Sequence, residues 1–186
     1  MIEAGVDEAG RGPLAGPVVS AAVILKPEFT FLGLDDSKKL SKAKRKSLSE
    51  EIKKHSVCWS IGIATVQEID KLNILRASLL SMERAIKNLS EVPEKVIVDG
   101  QYKPELDVPC EAIIRGDTFK ESIMAASILA KVERDKLMFE LDKKYPNYGF
   151  AKHKGYPTKM HLKALKDFGP CDQHRRSFKP VRNCLT

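Results

Sequence analysis

The sequence predicts an α/β fold, a mixed sheet with covering helices. Two observations carry that expectation. Three short β-branched stretches come first, and strand-like and helix-like periodicities then alternate along the rest of the 186 residues. A hydrophobic content of 42% is enough for one good-sized core, so the chain reads as a single compact unit with an appended segment.

Residues 2–6, 18–25 and 57–64 are apolar runs broken by Gly, Pro or charge, as expected of an antiparallel meander. Ser41 is positioned to cap a helix running to residue 55. Thr65 and Glu68 form a T-x-x-E capping box. Ile69, Leu72, Leu75, Leu79, Met82 and Ile86 then recur at helical spacing, which predicts one amphipathic helix to about residue 89. Residues 95–98 form a brief strand ending at Asp99-Gly100, and residues 110–114 another ending near Gly116-Asp117. Helical spacing returns over 118–145, and a shorter helix opens at Thr158 and stops at Gly169-Pro170. The stretch 145–158, rich in Lys, Tyr, Gly and Pro, divides a core of residues 1–145 from a C-terminal extension, residues 146–186.

Thirty-two Lys and Arg against 25 Asp and Glu give a net charge of +7, which suits a polyanionic partner such as nucleic acid. The cysteines, Cys58, Cys110, Cys171 and Cys184, are far apart and form no CxxC pair, so they read as reduced thiols rather than a zinc site. No apolar stretch is long enough to span a bilayer, and Glu3 and Asp7 interrupt any N-terminal signal. The expectation is a cytoplasmic protein with no membrane partner, monomeric by default.

The candidate chemistry lies in acids at strand ends beside glycine: Asp7-Glu8 before Gly10, Asp99-Gly100, and Gly116-Asp117. Each alone is equally at home as a turn residue or a helix cap. Neighbouring strands lie about 5 Å apart, however, so carboxylates at their ends can converge, and converged anions need protons or cations. Hard oxygen donors select Mg²⁺ or Mn²⁺ over zinc, which points to metal-assisted hydrolysis. Because adjacent strand residues face opposite ways, Asp7 and Glu8 share one site only if the strand bends there. Asp135 follows Asp117 by 18 residues, roughly 27 Å along a continuous helix, and is excluded. It reads instead, with Glu133, Arg134 and Lys136, as part of a solvated, charge-paired face.

Read together, GVDEAGRGPLAGPVV at 5–19, DDSKKLS at 35–41, VDG at 98–100, GDTFKESIMAASILAKVERD at 116–135, YGFAKHKGYPTKMH at 148–161 and HRRSFKPV at 174–181 resemble ribonuclease HII, the prokaryotic type-two RNase H. The resemblance implies an RNase H-like mixed five-stranded sheet flanked by helices, with a C-terminal helical extension. It implies a metal site of Asp7, Glu8, Asp99 and Asp117. The activity implied is cleavage of RNA–DNA hybrids, and of DNA carrying ribonucleotides, on the 5′ side of the ribonucleotide. Gly10, Arg11 and Gly12 would grip the ribonucleotide, where small residues let the backbone approach a 2′-hydroxyl. Tyr156 would pack on the following sugar. Lys38, Lys39, Lys152, Lys154, Arg175 and Arg176 are candidates for phosphate contact. His153, His161 and His174 read as structural or phosphate-contacting, because a carboxylate site for hard cations needs no imidazole. GPCDQHRRSF departs from the pattern only at Cys171 and Asp172. Two other readings compete: a resolvase-type DNA nuclease of the same fold class, and a non-catalytic basic RNA-binding module.

Overall fold

A computed structural model describes residues 1–28 and 39–185. Lys38, and with it most of the DDSKKLS block, lies outside the described residues. The sheet has five strands in the order β3-β2-β1-β4-β5: β1 (Glu3–Ala9), β2 (Val18–Leu25), β3 (Ser56–Ala64), β4 (Lys95–Asp99) and β5 (Cys110–Ile113). β1, β2 and β3 form the expected antiparallel meander. β4 and β5 add parallel to β1, so the C-terminal ends of β1 and β4 lie side by side.

Helices cover both faces. Strand alternation on β2 sends Ala21 and Val23 into a cluster with α1 (Lys42–His55) and α4 (Glu121–Lys144). Ala22 and Ile24 go to the opposite face, into a cluster with α3 (Ile74–Lys87). β2 is buried on both sides, which explains why its sequence is apolar except for Ser20, itself bonded to Ser81, and does not alternate. The first turns of α4 lie directly on β1: a Cβ at Gly5 would meet the Ser122 carbonyl carbon at 2.2 Å. Only glycine permits this approach, and the result is that α4 overlies the end of β1 where Asp7 stands.

The helix expected over 65–89 is broken. Its capping box forms as anticipated at Thr65 and Glu68, but α2 (Val66–Leu72) ends at Asn73, with φ 76°, before α3 begins. This backbone conformation (φ 76°, ψ 166°) is strained for a non-glycine residue, but the Asn73 side chain accepts a hydrogen bond from the Arg76 N–H, so one residue ends one helix and starts the next. The apolar spacing passes straight across the break and conceals it.

The C-terminal residues form α5 (Phe150–His153), α6 (Lys159–Phe168) and α7 (Lys179–Arg182). Thr158 caps α6 and Gly169 ends it, as expected. These elements close over the segment after β1: Leu14 packs with Leu165 and Val181, and Ala15 with Met138, Tyr148 and Phe150. Backbone bonds from Leu14 N to Gly155 O and from Gly16 N to Gln173 O, each 2.8 Å, stitch the two regions together. No helix is long and apolar enough to cross a membrane among the described residues.

Candidate active site

Asp7, Asp99 and Asp117 converge, with one carboxylate oxygen from each lying within 4.8 Å of the others. Asp7 projects from β1 toward α4, where the Ser127 hydroxyl donates to it. Asp99 ends β4. Asp117 sits in a 3-10 turn, Gly116–Thr118, and its backbone N–H donates to Asp99 Oδ1 at 3.2 Å. Burial is the first cause that raises the Asp7 pKa well above the usual carboxylate range, followed by the charges of Glu8 and Asp99. Such a cluster carries a proton or a cation.

Glu8 lies beside Asp7 and feels the charge of Asp99, but it reaches the cleft without the bend expected from the sequence. β1 pairs regularly with β2 as far as Ala9–Val19, so there is no bend at Asp7-Glu8, and the chain turns only at Gly10, with φ 97°. Regular alternation sends Asp7 to the α4 face and Glu8 toward the α3 face. Glu8 therefore stands outside the three-aspartate group while still lining the same cleft. Its Oε1 is 3.6 Å from Arg11 Nη1, and its buried Oε2 has no hydrogen-bond partner. Burial also raises the Glu8 pKa.

The cleft, about 270 Å³, is lined by the four acids together with Gly10, Arg11, Gly12, Ser127, Lys131 and Tyr156. A Cβ placed on Gly12 would lie 3.5 Å from the Tyr156 ring, so the GRG turn and Tyr156 form one rim. Tyr156 is 41% exposed. Ser127 and Lys131 were missed in the sequence. Both are on α4 and line the cleft with Asp7, a relation that α4's own periodicity does not reveal, because the helix is buried almost all round at this level. Asp135 pairs with Lys131 at 2.8 Å and is absent from the aspartate group.

Two arginines differ from expectation. Arg175, a phosphate candidate, is fully buried; it donates to the carbonyls of Gly16, Arg11, Gly10 and Pro17 and has no face left for phosphate. Arg134, assigned to a solvated face, is 1% exposed and donates to the carbonyls of Pro17, Lys154 and Ala15. Arginine's rigid fork, with five donors, satisfies several carbonyls at once, which explains how both are accommodated. Lys39, Lys152 and Arg176 are exposed. The Lys154 ammonium is turned onto the Ala151 carbonyl.

The three histidines are buried and support Tyr156 from behind. The Cys171 N–H donates to His174 Nδ1, so the His174 proton sits on Nε2 and points at His161 Nε2, 2.9 Å away. His161 then carries its proton on Nδ1 and donates it to the Tyr156 carbonyl at 2.9 Å. His153 stacks on His161 with ring centroids 4.4 Å apart. Burial lowers the pKa of all three, that of His174 to about 4, and the relay requires them neutral.

A mixed five-stranded sheet in this order, with aspartates gathered at the ends of β1 and β4, defines an RNase H-like hydrolase. Comparison with known proteins agrees. The family described as Ribonuclease HII matches residues 4–181, and the chain belongs to that family. Ribonuclease H2 from Pyrococcus horikoshii OT3 superposes with TM-score 0.82 at 27% identity, covering 99% of this chain and 97% of that one. RNase HII from Archaeoglobus fulgidus, solved in complex with PCNA, gives TM-score 0.75 at 26% identity, with 96% of each chain covered. Bst-RNase HIII, solved with Mn²⁺, shares the fold at TM-score 0.71 and 16% identity, covering 100% of this chain and 69% of that one. The protein is a ribonuclease H, a hydrolase of RNA–DNA hybrids.

Proposed function

We propose that this ribonuclease H incises on the 5′ side of a ribonucleotide, in hybrids and at single ribonucleotides within DNA, leaving 5′-phosphate and 3′-hydroxyl ends. The observation that supports this most is the shared cleft. A cation-demanding acid cluster, a glycine-rich turn and an exposed aromatic ring line one volume, next to the sequence features that resemble a ribose-reading site. A resolvase-type DNA nuclease has no use for the last two.

The donor set fits a hard divalent ion, Mn²⁺ or Mg²⁺: three converged aspartates, plus a buried Glu8 oxygen that lacks a partner. Asp7, Asp99 and Asp117 would hold one ion, and Glu8, which lines the same cleft, would contribute a further carboxylate donor, with two ions bound when substrate is present. Bound there, such ions activate water and stabilise the departing 3′-oxygen. The chain supplies the rest. Ser127 and the Glu8 N–H fix the Asp7 carboxylate, the latter at 2.7 Å. Arg11, exposed and in long contact with Glu8, has the reach to swing to phosphate. Tyr156 offers its ring to the sugar beyond the ribonucleotide. Gly10 and Gly12 let the backbone come close to a 2′-hydroxyl. Lys39, Lys152, Lys154 and Arg176 would contact the duplex backbone, and residues 146–186 would act as a substrate-binding extension of a monomeric enzyme.

The test is cleavage of a DNA duplex carrying one ribonucleotide, with Mn²⁺, Mg²⁺ or EDTA, by wild type, Asp7→Asn and Asp99→Asn. Wild type is expected to cut only with metal, and each variant is expected to lose about a hundredfold or more in rate, in line with removing a metal ligand. Tyr156→Ala should slow cleavage at the RNA-to-DNA junction without a matching loss of stability.

A further inference from the structure

Arg175 lies behind the GRG turn, with all three of its side-chain nitrogens donating to main-chain carbonyls. Nη2 is 2.6 Å from Gly10 O and Nη1 is 3.0 Å from Arg11 O, while Nε holds Gly16 O at 2.9 Å. Its side chain is fully buried, and its charge is balanced by carbonyl dipoles, with Phe178 stacked on the guanidinium. Burial and the neighbouring Arg134 lower its pKa to about 9, still above neutral pH.

These bonds fix more than the carbonyls. A trans peptide is planar, with its C=O and N–H pointing opposite ways, and there is no cis peptide among the described residues. Pulling Gly10 O and Arg11 O inward therefore turns the N–H groups of Arg11 and Gly12 outward. Gly10, Arg11 and Gly12 all line the cleft. We propose that Arg175 is a positioning residue for ribose recognition: by clamping two carbonyls it presents the Arg11 and Gly12 amides as a preset pair of donors to the sugar 2′-oxygen and the adjacent phosphate. Preset donors need no ordering when substrate binds, which is where their discrimination between ribose and deoxyribose originates. Arg134 supports the same loop through Pro17 O, which it shares with Arg175, and through Ala15 O, and ties it to the Tyr156 turn through Lys154 O at 2.9 Å.

This inference rests on the nuclease reading above, and the test separates the two. Binding of a duplex with one ribonucleotide and of its all-deoxy counterpart is measured with Ca²⁺ in place of the catalytic ion, for wild type and Arg175→Lys. Lysine keeps the charge but loses the fork. Arg175→Lys is expected to keep Mn²⁺ binding within about twofold, since no aspartate is touched. Its preference for the ribonucleotide duplex should fall about tenfold, the worth of one well-placed hydrogen bond. An undiminished preference in a folded Arg175→Lys protein overturns the proposal. Should that variant not fold, amide exchange in wild type decides: Arg11 and Gly12 must gain protection on the ribonucleotide duplex beyond that on the all-deoxy one, and equal protection overturns the proposal. A wild type that cleaves neither duplex with Mn²⁺ defeats the nuclease reading instead, whatever the exchange shows.

Discussion

At Gly10 the backbone runs at φ 97°, and an added Cβ would fall 2.0 Å from Arg134 Nε. Gly10→Ala therefore suffers both backbone strain and a clash with an immovable buried side chain; it should lower stability by about 2–4 kcal/mol in denaturant unfolding. A variant within 0.5 kcal/mol of wild type would mean that the turn is not pinned by Arg134. The aspartates give a second prediction at this scale. Because burial and mutual repulsion raise the Asp7 pKa, a divalent ion should stabilise the fold, by about 2.7 kcal/mol at a hundredfold excess over its Kd. Asp99→Asn should abolish most of that gain, read as the Mn²⁺-dependent rise in Tm. The sequence disclosed these acids because strand ends beside glycine are visible as spacing. It did not disclose the duties of Arg134 and Arg175, since a basic residue among charged neighbours looks solvated until the fold brings main-chain carbonyls around it.

Among the elements, the strand pattern was largely legible: the meander, the capped starts of α1, α2 and α6, and the Gly169 stop all follow from local chemistry. What escaped was the break at Asn73, where one residue with positive φ interrupts an unbroken apolar stripe. Asn73→Ala keeps that strained φ and removes the cap on Arg76, and should cost about 1–2 kcal/mol, with Asn73→Gly milder. The straight run of β1 past Glu8 was also hidden, because a bend seemed required only while both acids were assigned to one face. The histidine relay joining α6 to the 171–174 segment gives a pH prediction. His174 has its pKa lowered from 6.5 to about 4 in the fold, so between those values the unfolded chain binds the extra proton. Stability is therefore full above pH 6.5 and falls as pH drops toward 4, by up to about 3 kcal/mol for this residue. The lowered pKa values of His153 and His161 act in the same direction. A His174→Asn variant should flatten the slope of Tm against pH in that window; an unchanged slope would remove the relay from the acid response.

For the molecule as a whole, the excess of basic charge is placed usefully. A groove of about 500 Å³ between α1 and α4 is lined by Lys42, Arg45, Lys46, Lys53, Lys136 and Lys154 against the three acids Glu50, Glu133 and Asp135, and Lys154 immediately precedes the Gly155-Tyr156 rim of the acidic cleft. Duplex binding should weaken steeply with salt, and Lys46→Glu with Lys53→Glu should shallow that dependence by about two counterions while leaving the ribonucleotide preference intact. Base sequence should matter little. Residues 146–186 carry no acid of the cluster, yet they supply Tyr156, the histidines behind it and Arg175 behind the GRG turn, so they are part of one structure with the site.

Incision mapping on a DNA duplex with a single ribonucleotide addresses the central claim most directly. Wild-type protein with Mn²⁺ or Mg²⁺ is predicted to nick only the ribonucleotide strand, on the 5′ side of that residue, leaving a 3′-hydroxyl, and to leave the all-deoxy duplex intact. Equal nicking of the all-deoxy duplex, or no metal-dependent nick in either, would contradict the account.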